Sequence, residues 1–581
     1  MFSQKKIFFI ATIACICTIG AFAAEREFKF DSKYLNLPVT NEAPECQLEL
    51  EVDGEKVHEF TIELSPGKPD FWVYLEADKY TGKNGVLKTL EFSDSQIKGF
   101  EAVYQDDTFP GENVLYKEKL RPQFHFSTKR GWNNDANGTV YYNGEYHLFY
   151  QHNPFGFRGG NTTWGHAVST DLVHWEELGD AIYPDELGTI FSGSAVVDWN
   201  NTTGFQTGDE PPLICIYTSA GDRTKWSEGK PCTQSIAYSN DRGRTWTKYE
   251  GNPVQDHFRT ENRDPKVIWW KETKEWVIVL HMEDHYMAFF KSQDLKRWEL
   301  QSILYEDAFY ECPELFQLPV DGDEDNKKWI FYAGHGGYLI GDFDGNKFTP
   351  EMKAVRYNYG NCFFASQTFS DILKEDGRRI QMAWGQVDFP DMPFNQMITF
   401  PVSLSLHSTE DGLRMFAYPV KEIEKLHGKK YQWRDEDLKP GDNLLTDVKG
   451  NLFDIDCEIE VGDADEVGFE VNGFPVVYSV SEGNLEGGFV DEYREPIVIK
   501  DSGDKNDYIG NSIAELKPVD GIISLRILVD IPSVDIFGNN GRVYMPMKAV
   551  RDLNNKSMKI YAKGGTAHIK KLIVHEMNSI W

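Results

Sequence analysis

The sequence predicts an all-β protein with a five-bladed β-propeller at its centre. A C-terminal β-sandwich follows the propeller and an N-terminal sandwich-like module precedes it. Three observations lead there: both ends of the chain alternate polar and apolar residues with a period of two, a turn motif recurs through the middle, and stretches with a helical period are nearly absent.

In chain order, the first segment reads as an address. Lys5 and Lys6 precede the apolar run from Ile7 to Ala14, and small residues close it at Ala21-Phe22-Ala23-Ala24. This predicts a signal peptide over residues 1–24, too short for a membrane span. Thr12 stands where lipidation signals favour Leu, which argues against a lipid anchor at Cys15. Residues 25–118 alternate, as in Cys46-Gln47-Leu48-Glu49-Leu50-Glu51-Val52 and His58-Glu59-Phe60-Thr61-Ile62-Glu63-Leu64, with turns at Asp53-Gly54 and Ser65-Pro66-Gly67. That pattern predicts antiparallel strands with one face in water, and nothing in it points to chemistry.

Residues 119–418 carry the recurring turn. Ser169-Thr170-Asp171-Leu172 leads to Trp175, Ser239-Asn240-Asp241-Arg242 to Trp246, and Ser292-Gln293-Asp294-Leu295 to Trp298. Each instance lies between apolar runs at roughly the spacing of a four-stranded blade, the signature of a propeller. Val420 to Leu426 is the one convincing helical piece, read as a linker over 419–431. Strand patterns return over 432–581, as in Phe453 to Val461 and Leu525 to Asp530.

Composition narrows the partners. A net charge of −32 disfavours nucleic acid, anionic membranes and polyanionic substrates, which need a basic face. The 38 Phe, 27 Tyr and 15 Trp supply flat faces that suit sugar rings and packed sheets alike. Six cysteines beyond the signal segment are scattered without a C-x-x-C pair, which indicates neither a disulfide scaffold nor a zinc site. Asp321-Gly322-Asp323-Glu324-Asp325-Asn326 resembles a calcium loop, but Tyr332 stands where a bidentate Glu is needed, so an acidic hairpin is expected.

Three acids stand out in the central part. Asp135 lies in Trp132-Asn133-Asn134-Asp135-Ala136-Asn137-Gly138, whose Asn and Gly content by itself predicts a turn. Asp264 lies in Arg263-Asp264-Pro265, and Glu311 in Glu311-Cys312-Pro313-Glu314. Each begins an apolar strand, and the innermost strands of propeller blades line one axis, so the three would meet in one funnel. Convergent carboxylates repel and raise one another's pKa, which provides one proton donor beside one anion. Two carboxyls about 5–5.5 Å apart support double-displacement glycoside cleavage.

With Phe191-Ser192-Gly193-Ser194, Trp164-Gly165-His166 and Trp384, these motifs resemble, in order, the signature set of glycoside hydrolase family 32, the invertase, inulinase and levanase family. The resemblance implies a five-bladed propeller with a C-terminal sandwich, and retaining hydrolysis of β-fructofuranosides without metal or cofactor. It implies Asp135 as nucleophile, Glu311 as acid and then base, and Asp264 as transition-state stabiliser. Asn134, Gln151, Trp164, Ser192, Arg263 and Trp384 would form the pocket for a terminal fructose. Residues before about 118 lie outside the resemblance. Ala136 replaces a usual Pro, Asn133 a usual apolar residue and Glu314 a usual Asp, and the loop Tyr357 to Phe364 lacks acids often found there. These departures bear on substrate preference.

The expected partner is therefore a fructan such as levan or inulin, with sucrose as a smaller candidate. Linkage preference, endo or exo action and oligomeric state stay open. Two alternatives stay open as well: an inverting arabinan-type glycosidase on a similar propeller, with its carboxylates farther apart, and a non-catalytic fructan-binding protein.

Overall fold

The structure is a computed structural model that describes residues 24–91, 96–259, 261–488 and 512–581. The expected signal peptide, apart from Ala24, and Cys15 and Cys17 lie outside the described residues. Among the described residues no helix is long and apolar enough to cross a membrane.

Five blades form the propeller, each running outward from an inner strand: Gly131–Tyr142, Thr189–Val197, Arg263–Trp270, Glu314–Val320 and Phe364–Thr368, the last two blades joined into one ten-stranded sheet by a parallel pairing of Val320 with Leu406. Apolar faces of neighbouring blades pack on each other. Phe149, Trp164, Ala195 and Cys215 fill the space between the first and second blades, Ile214, Ile216, Ile278 and Leu280 that between the second and third, and Val277, Phe289, Phe331 and Leu339 that between the third and fourth. Phe394–Asn395, from late in the domain, adds beside Gly131 and Trp132 as a parallel partner and closes the ring.

The recurring turn joins the third and fourth strands of the first three blades. Asp171 Oδ1 accepts from the amides of Val173 and His174, and Asp241 Oδ1 and Asp294 Oδ1 accept from Thr245 and Lys296. At Asp171 and Asp294 these are Asx turns, while the turn at Asp241 also uses Gly243 at a φ of 78°. Asp344 likewise accepts from backbone amides before the strand Phe348–Pro350, with no serine to mark it in the sequence.

Two expectations need correction. The segment Gly131–Gly138 is no turn: it opens a twelve-residue strand with bulges between Asn133 and Ala136 and between Asn137 and Val140. Pairing with Glu145–Asn153 along one side, and with Phe394–Asn395 at Gly131 and Trp132 on the other, outweighs the local preference of Asn for turns. The other correction concerns the N-terminal module, which is a sandwich of a four-stranded and a three-stranded sheet but also contains the helix Ile97–Ala102. In its strand Glu55–Ile62, His58, Glu59 and Phe60 are all buried, so the predicted alternation fails there. Both faces of that stretch are covered because the propeller packs against it: His58 lies edge-on to Tyr183, and Phe60 stacks on Phe155.

After the 3-10 helix Lys421–Leu426, the C-terminal sandwich begins at His427, inside the expected linker, and comprises six-stranded and five-stranded sheets. A buried ionic clasp joins it to the propeller. His125 Nδ1 lies 2.8 Å from Asp530 and Nε2 lies 2.9 Å from Asp535, while the amides of Gln123, Phe124 and His125 all donate to the Asp530 carboxylate. Burial opposes the imidazolium, but the two carboxylates outweigh it and raise the His125 pKa to about 9. Since this is above the unfolded value, the stabilisation is complete below about pH 6.5 and disappears as pH rises through 9. Unfolding free energy is expected to fall by about 3 kcal/mol between pH 6 and 10, a slope that His125→Gln flattens. Urea titrations at the two pH values check this.

Candidate active site

The three acids stand where inner strands of separate blades begin. Asp135 sits within the first bulge of its strand, and Asp264 at the irregularity between Arg263 and Lys266. Glu311 comes three residues before the fourth blade's inner strand. Asp264, Glu311 and Cys312 take positive φ values of 59°, 39° and 48°, an unfavourable region for residues with a Cβ. Fixed partners hold them there. Asp264 N donates to Thr218 Oγ1 at 3.1 Å, Glu311 N to His281 Nδ1 at 3.2 Å, and Cys312 N to Asp264 Oδ2 at 3.2 Å. Together these bonds turn the carboxyls toward the axis.

A short chain of contacts links all three. Ser192 Oγ donates to Asp135 Oδ2 at 2.6 Å, and Gln151 Nε2 donates to Ser192 Oγ at 3.3 Å. The Cys312 thiol lies 3.8 Å from Asp135 Oδ2 and 3.6 Å from Asp264 Oδ2. Arg263 donates to Glu311 Oε2 from Nε at 3.1 Å and from Nη2 at 2.8 Å, with its Nε 3.7 Å from Asp264 Oδ2. A small recess adjoins them on the propeller axis, lined by Ala136, Ser192, Asp264, Cys312, Glu314 and Gln367 among others.

Burial, helped by the charges of Asp264 and Glu311, pushes the Asp135 carboxyl up to about 8. Burial also lifts Asp264 to about 6, against the pull of Arg263 and with the help of Glu311. One guanidinium does not neutralise three buried carboxylates, so a proton on the cluster is favoured at neutral pH. Such a site has one carboxylic acid to donate and carboxylates left to attack or stabilise. Among the described residues no group of His, Cys, Asp or Glu is arranged to hold a metal ion.

Residues 125–419 match the model of the glycosyl hydrolases family 32 N-terminal domain, and residues 422–576 that of the family 32 C-terminal domain. The chain belongs to glycoside hydrolase family 32. Over 503 residues it is 41% identical to a levanase of Bacillus subtilis (strain 168), covering 81% of this chain and 72% of the levanase. An extracellular exo-inulinase of Aspergillus niger is 29% identical over 531 residues, covering 80% of this chain and 96% of its own. Among solved structures, the exo-inulinase of Aspergillus awamori superposes with a TM-score of 0.72 at 27% identity, covering 80% of this chain and 100% of that one. The N-terminal module precedes both matched ranges.

Not every family 32 residue expected in the pocket lies in it. Trp164 is fully buried between the first and second blades, and its Nε1 donates to Phe191 O at 3.1 Å. It supports the strand that carries Ser192 and does not reach the recess, because its ring fills the gap between two apolar blade faces. Trp384 is partly exposed, edge-on to Trp132 at 5.8 Å, with its Nε1 on Gln396 Oε1. Asn134 turns its side-chain oxygen onto the amide of Asp135.

Sequence reasoning missed several supporting groups. Cys312 was visible beside Glu311 in its motif, but the place of its thiol between two of the acids was not. Gln367 accepts from Thr139 N and donates to Gly193 O, tying three blades together at the floor of the recess. Behind the acids, Lys266 lies 2.7 Å from Glu314 Oε1 and donates to Thr368 O, and Thr368 Oγ1 donates to Glu314 Oε2 at 2.6 Å. This buried pair joins the strands that follow Asp264 and Glu311. The longer arm of Glu314, noted as a departure from Asp, spans that gap.

Proposed function

We propose that this glycoside hydrolase cleaves β-fructofuranosidic bonds of fructans such as levan or inulin, and of sucrose, with retention of configuration. The observation that carries this reading is the linked cluster of Asp135, Asp264 and Glu311 where three inner strands begin, on a chain similar to levanases and exo-inulinases.

In the mechanism, Asp135 attacks C2 of the fructosyl unit and Glu311 protonates the departing oxygen. Glu311 then takes a proton from water as the water displaces Asp135. Asp264 and Arg263 hold sugar hydroxyls, and Asn134, Gln151, Ser192 and Trp384 complete the pocket. Substrate redistributes the proton that the cluster favours. Positive charge developing at C2 favours the Asp135 anion, while the leaving oxygen favours a neutral Glu311 beside it. The opening segment, read as an export signal, and the extracellular relative support action outside the cytoplasm.

Incubation with levan, inulin and sucrose tests the reading, with sugar analysis and NMR of the first-formed anomer. Fructose or short fructosyl products released as the β anomer are expected. Release of the α anomer, or no release from any of the three, overturns it.

A further inference from the structure

Three acids that act on one fructosyl unit are the same for sucrose and for a long chain, so discrimination between the two falls to the loops around the opening. In each blade the connection from the second to the third strand lies on the face where the inner strand begins. Two such connections, residues 154–162 of the first blade and 221–232 of the second, therefore stand at the opening.

Their inner ends touch residues beside the site. Phe157 O accepts from Asn395 Nδ2 at 3.0 Å. Gly159 lies so close to Trp132 that a Cβ there would meet the ring at 3.2 Å. The Arg223 guanidinium sits over the Phe191 ring, next to Ser192.

Their outer sides are held by the N-terminal module, chiefly by its strand Glu55–Ile62. Asn161 acts as a strand partner in side-chain form: Thr61 N donates to its Oδ1 and its Nδ2 donates to Thr61 O, both at 2.8 Å. The same Nδ2 donates to Asn153 Oδ1 at 3.0 Å. Phe60 stacks on Phe155 at 3.9 Å, and Arg158 pairs with Glu42. For the second loop, Trp226 N donates to Glu59 Oε1 at 3.0 Å, and Lys56, paired with Glu59, sits over the Trp226 ring at 5.1 Å.

We propose that the N-terminal module is a working part of the substrate cleft. It holds loops 154–162 and 221–232 as a fixed wall on which the second and later fructosyl units of a chain bind, and so sets the preference for polymer over sucrose. A loop ordered before binding leaves less entropy to be lost when the chain docks. The wall offers partly exposed aromatic and basic groups, Trp226, Arg158 and Arg223, of the kind that sugar faces and hydroxyls use. Glu59, Thr61 and Asn161 act through the loops as positioning residues.

This inference rests on the fructan-hydrolase reading, and one experiment separates the two. Wild type, Asn161→Ala, Glu59→Ala and Glu59→Gln are assayed on sucrose, levan and inulin, with melting temperatures measured alongside. For Asn161→Ala and Glu59→Ala, KM on a polymer is expected to rise by about fivefold, the weight of one or two hydrogen bonds, while kcat/KM on sucrose stays within about twofold. Glu59→Gln keeps the acceptor for Trp226 N and is expected to retain the wild-type polymer KM. Equal losses on sucrose and polymer would show that the module only stabilises the enzyme and overturn the proposal, as would unchanged polymer KM in both alanine variants. A wild type inactive on all three sugars removes the fructan reading, and this inference with it.

Discussion

Asp135→Asn is expected to lower fructose release by about four orders of magnitude or more while making the protein more stable. The loss follows from the role: an amide cannot form the fructosyl ester through which a retaining reaction passes. The gain follows from the site. In the fold, burial and the neighbouring carboxylates raise Asp135 to about 8 from an ordinary 3.8. A carboxyl raised in this way contributes its full share of stability only below the unfolded pKa, and loses it progressively as pH rises toward the folded one. Asparagine stays neutral throughout. The advantage of the variant should therefore be absent near pH 4, grow by up to about 1.4 kcal/mol per pH unit, and level off above pH 8. Ser192 Oγ, 2.6 Å from Asp135 Oδ2, can turn and donate to the new amide oxygen. Denaturant unfolding of both proteins at pH 5 and pH 8, with fructose assays on the same samples, checks both halves. Normal fructose release removes Asp135 as nucleophile, and an equal stability gain at both pH values removes the charge explanation.

Glu311→Ala is expected to reduce kcat on levan or inulin by about 10²- to 10⁴-fold, the usual weight of a general acid. On a fructoside whose leaving group departs without a proton, the loss should be much smaller, because only the later activation of water still needs Glu311. The substitution also frees Arg263 from its two bonds to Glu311, leaving it with Asp264 at 3.7 Å and Glu261 at 2.8 Å. Removing the Glu311 charge lets the Asp264 carboxyl fall from its raised value, so the acidic limb of the pH profile should move down. Parallel assays on polymer and activated fructoside give the ratio. Equal losses on both would take the acid role away from Glu311.

Much of this molecule was legible before folding because it rests on short-range chemistry. The turns at Asp171, Asp241 and Asp294 are made by side chains bonding amides two to four residues away, so their spacing announced the blades. Trp132 to Gly138 shows where such reading stops. Its Asn and Gly residues signal a turn, yet strands brought in from Glu145–Asn153 and Phe394–Asn395 pair on both sides and make it a bulged strand. Trp164 shows the same limit. Its motif was visible, but whether the ring faced a sugar or a neighbouring blade depended on how the blades close.

By itself, the sequence determined the strand content, since periodicity and turn chemistry act over a few residues, and its motifs singled out the three acids. Tertiary structure alone decided what surrounds those acids: the Cys312 thiol between two of them, the Lys266–Glu314 pair behind them, the burial that raises Asp135 and Asp264, and the N-terminal strand that holds the loops at the opening. These depend on ring closure and domain packing, which join residues dozens to hundreds of positions apart. Contacts at that range leave no period in a chain, and burial, which sets the charges, exists only once the chain has folded.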